Sequence, residues 1–289
     1  MKVNNKTLKS WFSLPEIGFG TWTMGWKMER EENYNEVKDI EAIRYAIDNW
    51  MTHFDTAELY AEGYSEEILW KAIAWYDRSE FIIASKVRGT KCRYDDVISS
   101  CDESLMRMWI TSFDLFYIHW RDNSIDLKET MRALDDLLET GKIKNIAVCN
   151  FSVESLKEAQ SYTKNKIVAN QVHYNLVYRE LEHSNLLDYC QNNDIMIVAW
   201  RPLEYWNLIE SNNSYLWEFT EKYSKTNSQI ALNWLISQNN VVTIFKSINP
   251  EHIDENLWVT WWNLENNDIE NIRNNYPWQE KISNAVVLS

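Results

Sequence analysis

Asp55, Tyr60, Lys86 and His119 are the parts needed to make a phenol give up a proton near neutral pH. A tyrosine hydroxyl has a reference pKa of about 10 and is a weak donor on its own. A nearby ammonium favours the phenolate, and burial strengthens that attraction because the local dielectric is low. Each of these residues also has an ordinary structural use. A tyrosine at a strand exit packs a rim, an Asp–Lys pair stitches strand ends, and a histidine can sit satisfied in a core. Their common setting is what argues for chemistry.

Each candidate follows a short apolar run. Met51–Phe54 leads to Asp55, Phe81–Ser85 to Lys86, and Phe113–Ile118 to His119. A β-branched and aromatic run that stops at a charged residue reads as a buried strand delivering that group at its exit. Helical patterns separate the runs, so the strands are expected to be parallel, with their C-terminal ends meeting at one mouth. Before them, residues 1–14 read as a hairpin turning at Asn4-Asn5 and closing the floor. Glu16–Trp22 is the first barrel strand, with Gly18 and Gly20 where backbone can approach a ligand closely. Asp39 is expected to cap a helix through Ile40, Ile43, Ile47 and Trp50, and Ser65 to open the next. Helices over Asp95–Met108 and Lys128–Thr140 follow, the second ending at Gly141. Ile143–Cys149, Ile167–Gln171, Ile195–Trp200 and Val241–Lys246 complete the strands. Between and after them come helices capped by Ser152, over Glu182–Asn192, over Gln229–Ser237 as a strongly amphipathic helix, from Pro250, and over Asn266–Tyr276.

Eight strand–helix units without a Pro/Gly/Ser linker make a single (β/α)8 domain over residues 1–289. An open doubly wound sheet would carry Gly-x-Gly-x-x-Gly after its first strand, and the chain has none there.

Bulk properties narrow the function. A net charge of −14 argues against a nucleic-acid partner, which requires a clustered basic face. No apolar run approaches the ~20 residues that span a bilayer, and the first residues lack a signal-peptide core. Cys92, Cys101, Cys149 and Cys190 show neither disulfide nor metal-ligand spacing, so reduced thiols, a cytoplasmic location and no metal are expected. Glycine is scarce, 6 residues against 16 tryptophans. Other residues, asparagine among them, must therefore take the backbone conformations glycine usually serves. The tryptophans are expected to fill core and pocket volume.

Four ordered stretches give the chain a family likeness from about Ile17 to Asn256. They are Asp55-Thr56-Ala57-Glu58-Leu59-Tyr60, Ser104-Leu105 through Phe113–Trp120, Gly141-Lys142-Ile143 with Val148-Cys149-Asn150-Phe151, and Lys246-Ser247 with Glu255-Asn256. Together they resemble the aldo-keto reductases. The resemblance implies a (β/α)8 barrel that binds NADP(H), with NAD(H) as a possible substitute, and reduces small aldehydes or ketones. The family's catalytic tetrad falls on Asp55, Tyr60, Lys86 and His119. In that scheme Tyr60 donates the proton and Lys86 lowers its pKa. Asp55 keeps Lys86 charged, and His119 hydrogen-bonds the substrate oxygen. The rival of another class is a nucleotide-binding regulatory or scaffold protein of the same fold with little turnover.

The resemblance also implies a cofactor trough. Asn150 and Gln171 fall where the family holds the carboxamide, and Trp200 where an aromatic ring stacks on the nicotinamide. Arg201, Pro202 and Leu203 fall on the pyrophosphate loop, with Arg201 replacing a common serine. Cys149 replaces another serine beside the amide. Lys246, Ser247 and His252 fall around the 2′-phosphate, Glu255 and Asn256 at the adenine, and Gly20 and Thr21 at the first strand's exit. Larger family members wall the substrate pocket with long insertions after the fourth strand and at the tail. Both are short here, so an open mouth is expected, lined by Trp22, Trp120 and Trp26. A monomer acting on small carbonyls is the expected form.

His252 stands where the family usually has an arginine, whose planar fork would grip the phosphate at any pH. A histidine of ordinary pKa, about 6.5, is mostly neutral at pH 7.5. NADPH should therefore be favoured over NADH only modestly at pH 7.5, and more strongly as the pH falls. The phosphate's own ionisation near ~6 blunts the trend at the acid end. The kcat/KM ratio for the two cofactors, followed from about pH 5.8 to 8.0, checks this. His252→Arg should give a larger and flatter ratio.

Overall fold

The computed structural model describes residues 3–204, 208, 215–277 and 279–289. Strands β1 (Asn5–Thr7) and β2 (Ser13–Pro15) form an antiparallel hairpin. Its turn lies over residues 8–12 rather than at Asn4-Asn5, because Asn5 is already paired with Pro15. Residues 1 and 2 of the expected hairpin segment lie outside the described residues.

Eight parallel strands then close a barrel. They are β3 (Ile17–Gly20), β4 (His53–Asp55), β5 (Ile82–Val87), β6 (Leu115–Ile118), β7 (Ile146–Cys149), β8 (Ile167–His173), β9 (Met196–Trp200) and β10 (Val241–Phe245), with β10 pairing back to β3. Helices alternate with them, among which Val37–Asp48, Tyr64–Ile73, Tyr94–Met108, Leu127–Glu139, Val153–Ser161 and Asn227–Ile236 are the longer ones before β10.

Side-chain alternation divides the core in two. Phe19, Phe54, Ile83 and Phe116 point outward into the layer packed against the helices. Leu115, Ala147, Val168, Met196 and Val242 form a smaller cluster inside the barrel, joined from below by Leu8 and Leu14 of the hairpin segment. The hairpin thus plugs the floor, so solvent reaches the inward-facing charges only from the other end. The Lys6 ammonium fastens it by donating to the Ile236 and Gln238 carbonyls.

Several local expectations change. Asp39 is not a cap. It lies inside the first turn of Val37–Asp48, where its carboxylate accepts from the Tyr34 hydroxyl at 2.6 Å. Ser65 also lies inside its helix, which begins at Tyr64 after Gly63, and its hydroxyl donates to the Met24 carbonyl. The stretch 182–192 is two short helices, Glu180–His183 and Leu186–Asn192, parted by Asn185 in the left-handed region. Asn227–Ile236 is buried on nearly every side rather than amphipathic, because the helix Pro250–Leu257 and the segment after it cover its outer face. Thr226 opens it, accepting from the Gln229 amide while Gln229 accepts in return. The tryptophans do not mainly fill the core. Trp234 is buried, but Trp11, Trp50, Trp75 and Trp109 are each more than half exposed.

Gly18 is required by a close approach. A Cβ there would stand 2.5 Å from Nδ1 of His53, which lies inside the barrel beneath Asp55. Neither ring nitrogen of His53 has a partner among the described residues, and burial pulls its pKa down from 6.5 to about 4. The folded state therefore holds this imidazole neutral, whereas the unfolded chain binds a proton below pH 6.5. Its contribution is complete above pH 6.5 and is lost as the pH falls toward 4, by then amounting to about 3 kcal/mol. Urea unfolding of the wild type and of His53→Leu between those pH values should show the variant losing less stability. Parallel curves would contradict the assignment.

Candidate active site

Strand register brings the four candidates together. Asp55 ends β4 and pairs across to Ala84, two residues before Lys86, while Lys86 pairs with Tyr117 on β6. His119 follows β6 directly, its N–H bonded to the Val87 carbonyl at 2.9 Å. Tyr60 opens the short helical turn Tyr60–Gly63 above β4.

Lys86 Nζ donates to Asp55 Oδ1 at 2.5 Å and to the Thr56 carbonyl at 2.8 Å, and lies 3.4 Å from the Tyr60 hydroxyl. Both charged side chains are essentially out of solvent. Burial by itself would depress the lysine, but the surrounding groups, the Asp55 carboxylate foremost, together outweigh it, and the ammonium is held above its ordinary range. The Tyr60 phenol departs from the sequence expectation. Lys86 pulls its pKa down, as anticipated, yet burial and the Asp55 charge prevail and leave it at about 12. The hydroxyl consequently stays protonated at any physiological pH. Burial, reinforced by Lys86 and Arg88, pushes His119 well below its usual value, so its imidazole is neutral. His119 Nδ1 has no partner among the described residues, and its ring stands edge-on to Tyr60 with centroids 5.8 Å apart. A charged donor cluster capped by a neutral phenol and a neutral imidazole can place a proton and a hydrogen bond on one incoming oxygen.

These groups stand at one end of a cavity of about 1010 Å³. At the tetrad, Trp22 meets the Tyr60 ring edge-on at 4.9 Å, and Trp120 follows His119. Asn150 takes a left-handed backbone, φ 60°, which carries its amide into the trough. Its oxygen accepts from the Trp200 indole at 3.2 Å. Gln171 donates to Asp55 Oδ2 at 2.7 Å, so it also steadies the ion pair. Arg201, Pro202 and Leu203 line the cavity, with the Arg201 guanidinium carbon 5.3 Å from the Trp200 ring centre. Lys246, Ser247, His252, Glu255 and Asn256 also line the cavity, beside a helix opened by Asn249 and Pro250. Gly20 lines the trough.

Two expected residues stand elsewhere. Thr21 is buried behind the wall, its N–H bonded to the Asp55 carbonyl. Trp26 is 49% exposed and does not line the cavity; Met28 does. The tail also reaches the cavity, where Ala285 and Val286 join its lining. Ser283 N–H donates to Glu180 at 2.8 Å and Ser289 N–H to the Asn150 carbonyl at 3.0 Å, which fixes that return. Nothing local in the sequence marks those tail residues, since their partners lie more than a hundred positions away. Glu58 is another such omission: buried, it accepts from the Arg88 N–H at 2.9 Å and faces the Arg88 and Lys91 cations.

A dinucleotide fits these residues. The trough offers hydrogen-bonding amides and an indole beside the tetrad, and in Lys246, Ser247 and the helix start at Pro250 it offers a cation, a hydroxyl and N–H groups suited to a phosphate. Among the described residues no group of side chains has the makeup of a metal site, and no helix is long and apolar enough to cross a membrane.

Comparison with known proteins gives the same direction. The sequence profile of the Aldo/keto reductase family matches residues 16–276. A glyoxal reductase of Bacillus subtilis is 33% identical over 94% of this chain and 91% of its own length. A methylglyoxal reductase of Escherichia coli is 29% identical, covering 92% of each. Among solved structures, a thermostable aldo-keto reductase crystallised with epalrestat superposes with a TM-score of 0.90 at 35% identity, over 94% of this chain and 99% of that one. An aldo-keto reductase of Klebsiella pneumoniae in complex with NADPH gives 0.85 at 28% identity, over 97% and 98%.

Proposed function

The chain belongs to the aldo/keto reductase family and reduces carbonyls with NADP(H), and on that premise we propose that its substrates are small 1,2-dicarbonyls such as methylglyoxal and glyoxal, reduced at the Asp55–Tyr60–Lys86–His119 cluster. The observation that carries the residue assignment is the buried Asp55–Lys86 pair set 3.4 Å beneath a protonated phenol that borders the cavity. The substrate class rests on the two dicarbonyl-reducing relatives and on a mouth narrowed by Trp22, Trp120 and Val286.

NADPH, when bound, supplies the hydride. In this reading Asn150 and Gln171 hold the carboxamide and Trp200 backs the ring. Arg201, Pro202 and Leu203 follow the pyrophosphate, Lys246, Ser247 and His252 receive the 2′-phosphate, and Glu255 and Asn256 meet the adenine. Tyr60 hydrogen-bonds the substrate oxygen and passes its proton to that oxygen as negative charge develops there. Its high pKa in the free protein keeps the donor loaded, and Lys86 stabilises the phenolate that transfer leaves behind. Neutral His119 donates to the same oxygen and orients it; a cationic imidazole beside Lys86 would have to overcome both repulsion and burial. The narrow mouth excludes water and holds the reactants in contact. Four buried free thiols suit a reducing cytoplasm, and a monomer completes the proposal.

The experiment follows NADPH absorbance with methylglyoxal, glyoxal, glyceraldehyde, nitrobenzaldehyde and simple sugars. The two dicarbonyls should give the highest kcat/KM, and selective reduction of a bulky steroid-like ketone would refute the substrate class. Tyr60→Phe should keep NADPH affinity while turnover falls about 10²–10⁴-fold. Near-normal turnover in that variant would refute the donor assignment.

A further inference from the structure

His173 ends β8, pairs across to Trp200, and lies between two rings. The Trp200 indole is 4.3 Å away at 13°, and the Tyr178 ring 4.4 Å away at 23°. Both imidazole nitrogens are engaged. Nδ1 lies 2.8 Å from Ser283 Oγ and Nε2 2.8 Å from the buried Glu204 carboxylate. Ser283 Oγ already accepts from the Ala285 and Val286 N–H groups, which leaves its proton for Nδ1. Nε2 then donates to Glu204, which also accepts from Asn175 at 3.0 Å. The chain of bonds runs from the tail segment walling the mouth, through His173, to the rear face of Trp200.

We propose that His173 is a positioning residue that fixes the plane of Trp200 against the nicotinamide and locks the tail's Ser283 to that platform. The inference rests on Trp200 serving as the platform, as the proposed function has it. Neither the mechanism nor the family likeness assigns His173 a role, and a buried histidine with both nitrogens engaged and both faces stacked has little freedom to do anything but hold its neighbours.

The test measures NADPH dissociation constants by quenching of protein fluorescence, in parallel with adenosine 2′,5′-bisphosphate, which occupies only the far half of the trough. Loss of one aromatic stack should weaken NADPH roughly two- to tenfold in His173→Ala, while the bisphosphate stays within about twofold. Ser283→Ala, a milder change outside the strand, should weaken NADPH in the same selective way. Unchanged NADPH binding in both variants, or equal weakening of both ligands, overturns the role. Trp200→Ala separates the two readings. If it leaves NADPH binding intact, the platform itself is wrong; if it weakens NADPH while the His173 and Ser283 variants do not, only the positioning role fails.

An independent observation concerns four tryptophans. The helices Val37–Asp48, Tyr94–Met108 and Leu127–Glu139 end in the same pair of backbone bonds. Trp50 N–H reaches Ile47 O and Met51 N–H reaches Ala46 O, both at 2.9 Å. Trp109 and Ile110 repeat this to Met106 and Leu105, and Gly141 and Lys142 to Leu138 and Leu137. The residue closing each motif has φ of 75°, 48° and 73°. One is glycine, as the left-handed turn favours, and two are tryptophan. In the β1–β2 hairpin, Trp11 with φ 69° stands at the bulge position that also favours glycine. Trp26 has φ 100°, far outside the region bulky residues adopt. All four side chains are about half exposed or more.

We infer that these four are glycine positions, and that the codon read as tryptophan there specifies glycine in the cell that makes this protein. The codon UGA is decoded as tryptophan in some genetic codes and as glycine in others, so one reassignment at these four positions raises the scarce glycine and lowers the abundant tryptophan together. Peptide mass spectrometry of the protein isolated from its own cells is the test. Glycine at 11, 26, 50 and 109, with UGA at those codons, is the expected result, and tryptophan in the native peptides overturns it. In recombinant protein, Trp50→Gly and Trp109→Gly should each raise the melting temperature; a fall would refute the geometric premise.

Discussion

The ammonium of Lys86 and the carboxylate of Asp55 sit 2.5 Å apart with neither side chain in water, and neither charge would be tolerated there without the other. Removing one partner of such a pair strands a buried ion, at a cost of about 3–5 kcal/mol. The surroundings are arranged to satisfy what the pair leaves over. Thr56 and Gln171 take the remaining bonds. Tyr60 and His119, the two groups proposed to meet a substrate, are left neutral beside it. An uncharged donor and an uncharged imidazole over a fixed cation form a site prepared for negative charge that appears only during reaction, where preorganised electrostatics act most strongly.

That arrangement depends on a barrel closed at one end. The hairpin residues Leu8 and Leu14 complete the apolar cluster inside the strands, so the charges above it meet solvent only through the mouth. His53 lies inside the same barrel without hydrogen-bond partners among the described residues, and the space for it exists because Gly18 has no side chain. The polar end therefore rests on a floor that excludes water.

The mouth is assembled from segments distant along the chain. Trp22, Trp120 and Trp200 follow or end three different strands, and Ala285 and Val286 return from the tail to stand with them. The tail is held through Glu180, Asn150 and Ser283, and Ser283 in turn contacts the histidine behind Trp200. The proposed substrate wall and cofactor trough thus share supports.

The barrel and its reactive end were legible in the sequence alone, because buried parallel strands write themselves as short apolar runs and the charged residues at their exits are conspicuous. Asp55, Lys86 and His119 stood out for that reason, and Gly141 and Pro250 marked helix boundaries through local backbone preferences. What depends on burial or on long-range contact could not be read there. The net pKa of Tyr60 follows from the competition of desolvation with two opposite charges, which no local pattern records. Asp39 and Ser65 had the residue types of caps but became buried hydrogen-bonding groups once their helices packed. Trp26 read as a pocket residue by proximity in sequence, yet it stands half exposed on the surface while Met28 lines the cavity. The tail's return over the mouth belongs wholly to the folded molecule, because bonds from 283 and 289 to residues more than a hundred positions earlier exist only after the barrel has closed.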